Sequence, residues 1–182
     1  MLVIIGLIAL TGLWAIGVYN GLVKRKNLVA EGWSVIDTQL KRRANLIPNL
    51  VETVKGYGSH EKETLEKLTE LRAKSLGADT VEGQSAAENA LTSALANLRV
   101  AVEAYPDLKA NENFLDLQTK LDDVEDEIQM ARRYYNGTVR DLNTMIESFP
   151  SNFVAGAFSF SKAAFFEIEN SKDRAVPAVT FN

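Results

Sequence analysis

Leu2 to Val23, LVIIGLIALTGLWAIGVYNGLV, contains no charged residue, and Lys24, Arg25 and Lys26 follow it at once. A helix needs roughly 20 predominantly apolar residues at ~1.5 Å each to cross the bilayer, so this run reads as a single transmembrane span over residues 1–23. The competing reading, a buried core helix, fits less well, because such helices are usually interrupted by polar positions within ~14 residues. A cleaved signal peptide would carry cations before the apolar stretch and a small-residue site after it. Neither feature is present.

The cations Lys24, Arg25, Lys26, Lys41, Arg42 and Arg43 all lie on the C-terminal side of the run. The positive-inside bias therefore predicts an outward N-terminus and a cytoplasmic remainder, residues 24–170, with a loose tail over 171–182. Gly17 and Gly21 form a GxxxG spacing that lets two helix backbones approach, although glycine is common in membrane helices anyway. Tyr19 stands where an interfacial aromatic belongs, whereas Trp14 lies nearer mid-span. The chain has no cysteine, which fits a reducing compartment without requiring one. Its balance is mildly acidic and no basic face is interleaved with aromatics, so no nucleic-acid partner is expected.

Beyond the span the pattern is helical throughout. Val29, Trp33, Ile36, Leu40, Arg43, Ile47, Leu50, Val54, Tyr57, Glu61, Thr64, Leu68 and Leu71 follow a heptad-like period, which predicts one long helix over 27–75. Pro48 predicts a kink or break near Asn45–Asn49. Arg43 falls on the seam, so a carboxylate must meet it or it must lie at the rim. Leu76–Gln84 reads as a turn, Ser85 and Glu88 as a capping box, and the next helix runs to Tyr105. A third helix begins near Asn111 and stops at Pro150. Its seam is Phe114, Leu117, Leu121, Val124, Ile128, Ala131, Tyr135, Thr138, Leu142, Met145 and Phe149, with Asp122–Glu127, Arg132, Arg133 and Arg140 on a solvated face. The fold class is thus all-α: a transmembrane helix, then an antiparallel bundle of three long helices and a short fourth, packed like a coiled coil.

Seven of the eight phenylalanines lie from Phe149 onward. They predict either a fourth helix over 151–170 closing the bundle, or a surface in which Phe153, Phe158, Phe160, Phe165 and Phe166 meet another subunit or the membrane.

Few residues suit chemistry. His60 is the single histidine. His60-Glu61-Lys62-Glu63-Thr64 opens like the zincin H-E-x-x-H motif, but Thr64 occupies the second ligand position. A di-iron bundle needs two Glu-x-x-His pairs, more histidine than one chain offers. The carboxylates at Asp122–Glu127 are the remaining divalent-cation candidate, and such runs are usually solvated. No phosphate or dinucleotide loop appears, so neither a cofactor nor a catalytic residue is expected.

The blocks QLKRRANLIPNLVETVKGY, EAYPDLKANENF and ARRYYNGTVRDLN, with FSFSKAAFFEIE near the end, resemble the LemA family of bacterial membrane proteins over nearly the whole chain. The resemblance implies one N-terminal span in the bacterial inner membrane and a cytoplasmic antiparallel helical bundle. It supplies no reaction; the suggested links are to membrane organisation and to quality-control membrane metalloproteases.

Lys24–Lys26 suit an anionic leaflet, each gaining ~1 kcal/mol near its surface. Lys41–Arg43 lie ~22 Å farther along a continuous helix, beyond two Debye lengths of ~8 Å, so they are expected to pair with acidic residues on a neighbouring helix or subunit, as Trp33 is expected to pack there. The partners expected are the lipid bilayer and further copies of the chain in a homo-oligomeric scaffold. The alternative is an adaptor docked on another membrane protein.

Overall fold

The computed structural model describes residues 1–57 and 62–167. It is all-helical among those residues, with α1 Leu2–Lys55, α2 Lys62–Leu76, α3 Val81–Val102, α4 Pro106–Lys109, α5 Glu112–Glu147 and α6 Ser151–Ala157. The described residues divide into two compact units, residues 1–45 with 118–165, and residues 46–117 with Phe166 and Glu167.

In the first unit, α1 and α5 run antiparallel. Gly21 faces Met145, Gly32 faces Tyr135 and Arg43 pairs with Glu125, so the register advances on one helix as it recedes on the other. The anticipated seams are the buried ones: Ile36, Leu40, Arg43, Ile47, Leu50 and Val54 on α1, and Phe114, Leu117, Leu121, Val124, Ile128, Ala131, Tyr135 and Leu142 on α5. The α5 seam ends early, because Phe149 is largely exposed.

α1 differs from its expected course at its terminus, and of the two alternatives at Pro48 the break is absent. Helix continues through Pro48, which is exposed, while Ala44, Ile47, Leu50 and Val51 on the other side are buried. A mid-helix proline costs ~3 kcal/mol. Three larger side chains of that set, each stabilising by ~1.5–3 kcal/mol, outweigh it. The helix ends instead at Lys55, where Gly56 follows and the Tyr57 amide bonds back to the Val54 carbonyl in a tight turn. The second unit then packs α2 against α3 across the four-residue turn Gly77–Thr80. Thr80, not Ser85, caps α3, its hydroxyl accepting from the Gly83 amide. The Asn111 side chain caps α5 through the Phe114 amide, and Pro106 opens the short α4.

The fourth helix is much shorter than 151–170. At 100° per residue, Phe153, Phe158, Phe160, Phe165 and Phe166 would point around the whole helix circumference, so no single stripe could bury them. α6 stops at Ala157, Ser159 takes a positive φ of 57°, and residues 160–167 continue without helix. Side chains of α5 satisfy this segment instead. Asn143 donates to the Ala163 carbonyl and accepts from the Ala163 amide, both at 2.9 Å, and the Tyr135 hydroxyl donates to the Ala164 carbonyl at 2.9 Å. Asn143→Ala removes two of these bonds, each worth ~1 kcal/mol net, and leaves backbone groups unsatisfied at a further ~1–3 kcal/mol. The expected result is faster hydrogen exchange at Ala163 and Ala164 with α1 protection unchanged; unchanged exchange at Ala163 would refute the clamp. The tail 171–182 and residues 168–170 lie outside the described residues.

Candidate functional site

The residues with a functional case gather in the first unit, where the apolar run enters the bundle. Leu22, inside that run, is fully buried with Leu142, Val154 and Ala155, while Ala15, Val18, Met145, Phe160 and Ala163 pack around them. The Tyr19 ring lies 4.8 Å from Phe158 and 5.8 Å from Phe160, in tilted and edge-on geometries that suit aromatic quadrupoles. The apolar run and the bundle therefore share a core, with no linker between them. The rest of the run projects outward: α1 is long and apolar enough to cross a membrane, and its most apolar window has no burial within the chain.

The two glycines of the GxxxG spacing have different surroundings. Gly17 faces open space, whereas a Cβ on Gly21 would meet the Met145 methyl at 2.9 Å. Trp14 is exposed on the bare part of the run. Lys24 and Lys26 are exposed, and the half-buried Arg25 donates to the Gly21 carbonyl at 3.3 Å.

The second basic cluster splits three ways. Lys41 is exposed and bonds Asp37 of its own helix at 2.6 Å, and Arg42 is exposed. Arg43 is buried and meets Glu125 of α5 at 2.5 Å, the carboxylate the seam position required. Trp33 packs on Tyr135 with ring centroids 5.7 Å apart. In the acidic run, Asp122, Asp123, Asp126 and Glu127 are exposed as anticipated, and Glu125 is the exception. Arg132 does not lie on the solvated face; it is buried. Its place is set by helical phase, since it stands next to Ala131 on the seam side.

Of the aromatic residues near the C-terminus, Phe153, Phe158 and Phe165 are exposed, Phe160 is half-buried and Phe166 is fully buried. Phe149 and Phe153 stack edge-on at 5.9 Å.

Sequence reasoning missed two positions. Gly32 is buried at the α1–α5 crossing, where its missing Cβ would lie 3.2 Å from the Tyr135 Cα. Ser75, Gln84 and Glu88 form a buried polar cluster in the second unit: the Ser75 hydroxyl and the Gln84 amide both donate to Glu88 Oε1, the latter at 3.1 Å. The sequence reading assigns Gln84 to the turn and Glu88 to a cap with Ser85, and so passes over the i,i+4 relation of Gln84 and Glu88 within α3. On the exposed face of α2, Lys74 and then Lys67 hold the Glu70 carboxyl below its ordinary range, an i,i+4 and i,i+3 surface network. His60 and Glu61 lie outside the described residues. Among those described, no three His, Asp or Glu side chains group to hold a metal ion.

The LemA family model matches residues 32–181. The chain belongs to the LemA family. It is 33% identical over 156 residues to Protein LemA of Metamycoplasma hominis, covering 84% of this chain and 70% of that protein. It is also 23% identical to Magnetosome protein MamQ of Magnetospirillum gryphiswaldense, over 89% of this chain and 68% of the relative. Magnetosome protein MamQ 2 of Paramagnetospirillum magneticum is 29% identical over 52% of this chain, but only 34% of that protein is covered. These relatives agree with a membrane-associated helical protein.

Proposed function

We propose that this LemA-family chain is a non-enzymatic membrane scaffold. Copies assemble in the plane of a bacterial inner membrane, each crossing it once with the N-terminus outside and the bundle cytoplasmic. The observation that carries the reading is the shared core at Leu22, because a span continuous with its bundle fixes the orientation of everything packed on it. A tethered enzyme needs only a flexible linker. A protein whose work is to hold a geometry at the membrane needs the stiff connection seen here. Lys24 and Lys26, exposed just beyond the run, support the orientation. The open face at Gly17 offers a close-approach surface to a second span. The MamQ relatives are named as magnetosome proteins.

Light scattering of the full chain in mild detergent should give a multiple of the single-chain mass. A Gly17→Leu variant blocks the close-approach surface, keeps Ala15, Val18 and Leu22 in the core, and should be monomeric if copies assemble through the span. A monomeric full chain would sink the scaffold and favour the adaptor, for which cross-linking should then yield a different membrane protein in stoichiometric amount.

A further inference from the structure

We propose that the α5–α6 turn, from Phe149 to Phe160, is a second membrane contact, seated in the interfacial zone of the leaflet beside the bundle. This rests on the reading that Leu2–Val23 crosses the bilayer.

The depth follows from counting. A hydrocarbon core of ~30 Å takes ~20 residues of helix, so a span beginning at Leu2 reaches the inner boundary near Gly21. Yet Ala15, Val18 and Leu22 of the same helix are packed against Val154, Ala155 and their neighbours, and the Tyr19 ring touches Phe158 and Phe160. For a helix perpendicular to the membrane, whatever lies beside Ala15 to Gly21 sits between 0 and ~9 Å inside that boundary. Interfacial helices bury their apolar faces by ~5–10 Å, the same depth.

The composition of the turn matches that position. Residues 148–161, SFPSNFVAGAFSFS, contain no charged side chain. The flanking charges Glu147 and Lys162 pair with each other at 2.7 Å, closing the neck of the turn. Phe149, Phe153 and Phe158 project outward, with exposures of 79%, 66% and 59%. In water three neighbouring rings this bare are unfavourable, whereas at the acyl boundary they take the place aromatic residues prefer. Backbone polarity is also covered, as apolar surroundings demand. The Ser151 hydroxyl bonds the Met145 and Ser148 carbonyls at 2.6 and 2.9 Å, and the amides of Phe153, Phe158, Ser159 and Phe160 donate within the turn. Two contacts, span and turn, would fix both tilt and rotation of the first unit about the membrane normal.

The chain has no cysteine, so single thiols can be introduced into the full-length protein. Nitroxide labels at F153C, and separately at G156C, are compared with L10C in the span and D126C on the solvated face, in bilayers of phosphatidylcholine and phosphatidylglycerol. Gly156 has nothing within 4 Å, so its label removes no packing. Relaxation by oxygen, which partitions into lipid, is set against relaxation by a water-soluble nickel chelate. The proposal expects the oxygen-to-nickel ratio at 153 and 156 to lie several-fold above that at 126 and below that at 10. A nickel accessibility at 153 and 156 equal to that at 126, with 10 in lipid, overturns the turn's membrane contact alone. Shielding from both reagents with dipolar broadening between labels overturns it in favour of a second copy on this surface. A water-accessible label at 10 overturns the spanning reading, and this inference with it.

Discussion

Glu125→Ala should destabilise the protein by about 3 kcal/mol, among the largest losses expected of any substitution on the polar face of α5. Arg43 is 2% exposed and its guanidinium meets the Glu125 carboxylate at 2.5 Å. Removing one partner of a buried pair costs ~3–5 kcal/mol, because the remaining charge is left in a poor solvent for it. The Glu125 side chain keeps 31% of its exposure, so water reaches the gap and the lower figure is appropriate. The same reasoning gives the opposite expectation for Arg43→Met. That change removes the buried charge while filling much of its volume, and the carboxylate it leaves is part-exposed and accepts from Gln129 Nε2 at 2.8 Å, so its cost should be small; replacing both partners by apolar groups is often neutral or stabilising. The double variant, Arg43→Met with Glu125→Ala, should therefore recover most of what Glu125→Ala loses. Urea unfolding in mild detergent, followed by helical circular dichroism, reads all three. Additive losses in the double variant would show that the pair does not act as one unit.

The position of Arg43 was legible in the sequence because helical periodicity is a local property: the heptad spacing from Val29 to Val54 assigns a face without knowledge of what covers it. The same holds for the α5 seam and for the ARRYYNGTVRDLN block of the LemA resemblance, which lies on α5. That Pro48 does not break α1 was not legible, because its local cost is fixed, while the burial of Ile47, Leu50 and Val51 that offsets it depends on neighbours distant in sequence. The end of the chain failed for a related reason. Helix propensity says nothing of Asn143 reaching Ala163 across 20 positions, and that bridge lets the backbone leave the helix at Ala157 without unsatisfied groups. The candidate site was half legible. Tyr19 and the phenylalanines were singled out separately, but their meeting at one level of α1 is a product of the antiparallel fold. That Gly21 takes up Met145, while Gly17 stays open, follows from the same register.

Gly32 went unremarked in the seam although it stands beside Trp33, and it carries the other large effect. An alanine Cβ there would approach the Tyr135 Cα to 3.2 Å and the Thr138 hydroxyl to 3.4 Å. The Cα belongs to a helix backbone, so relief requires α1 and α5 to separate. Alanine gains ~1 kcal/mol of helix propensity over glycine, and overpacking a well-filled site costs ~1–3 kcal/mol, so Gly32→Ala should fall near balance or slightly below it. Gly32→Leu has no such compensation in size and should lose about 3 kcal/mol, at the upper end of that overpacking range, with weakened Trp33–Tyr135 packing visible in near-ultraviolet circular dichroism. Gly137, on α5, provides the internal comparison: nothing lies within 4 Å of its missing Cβ. Gly137→Ala should raise stability by up to ~1 kcal/mol, since propensity alone acts there. If Gly32→Leu and Gly137→Ala shifted stability in the same direction, the close approach of the two helices at Gly32 would be refuted. The opposite signs expected tie the residue's role to the distance between the helices and not to glycine's flexibility.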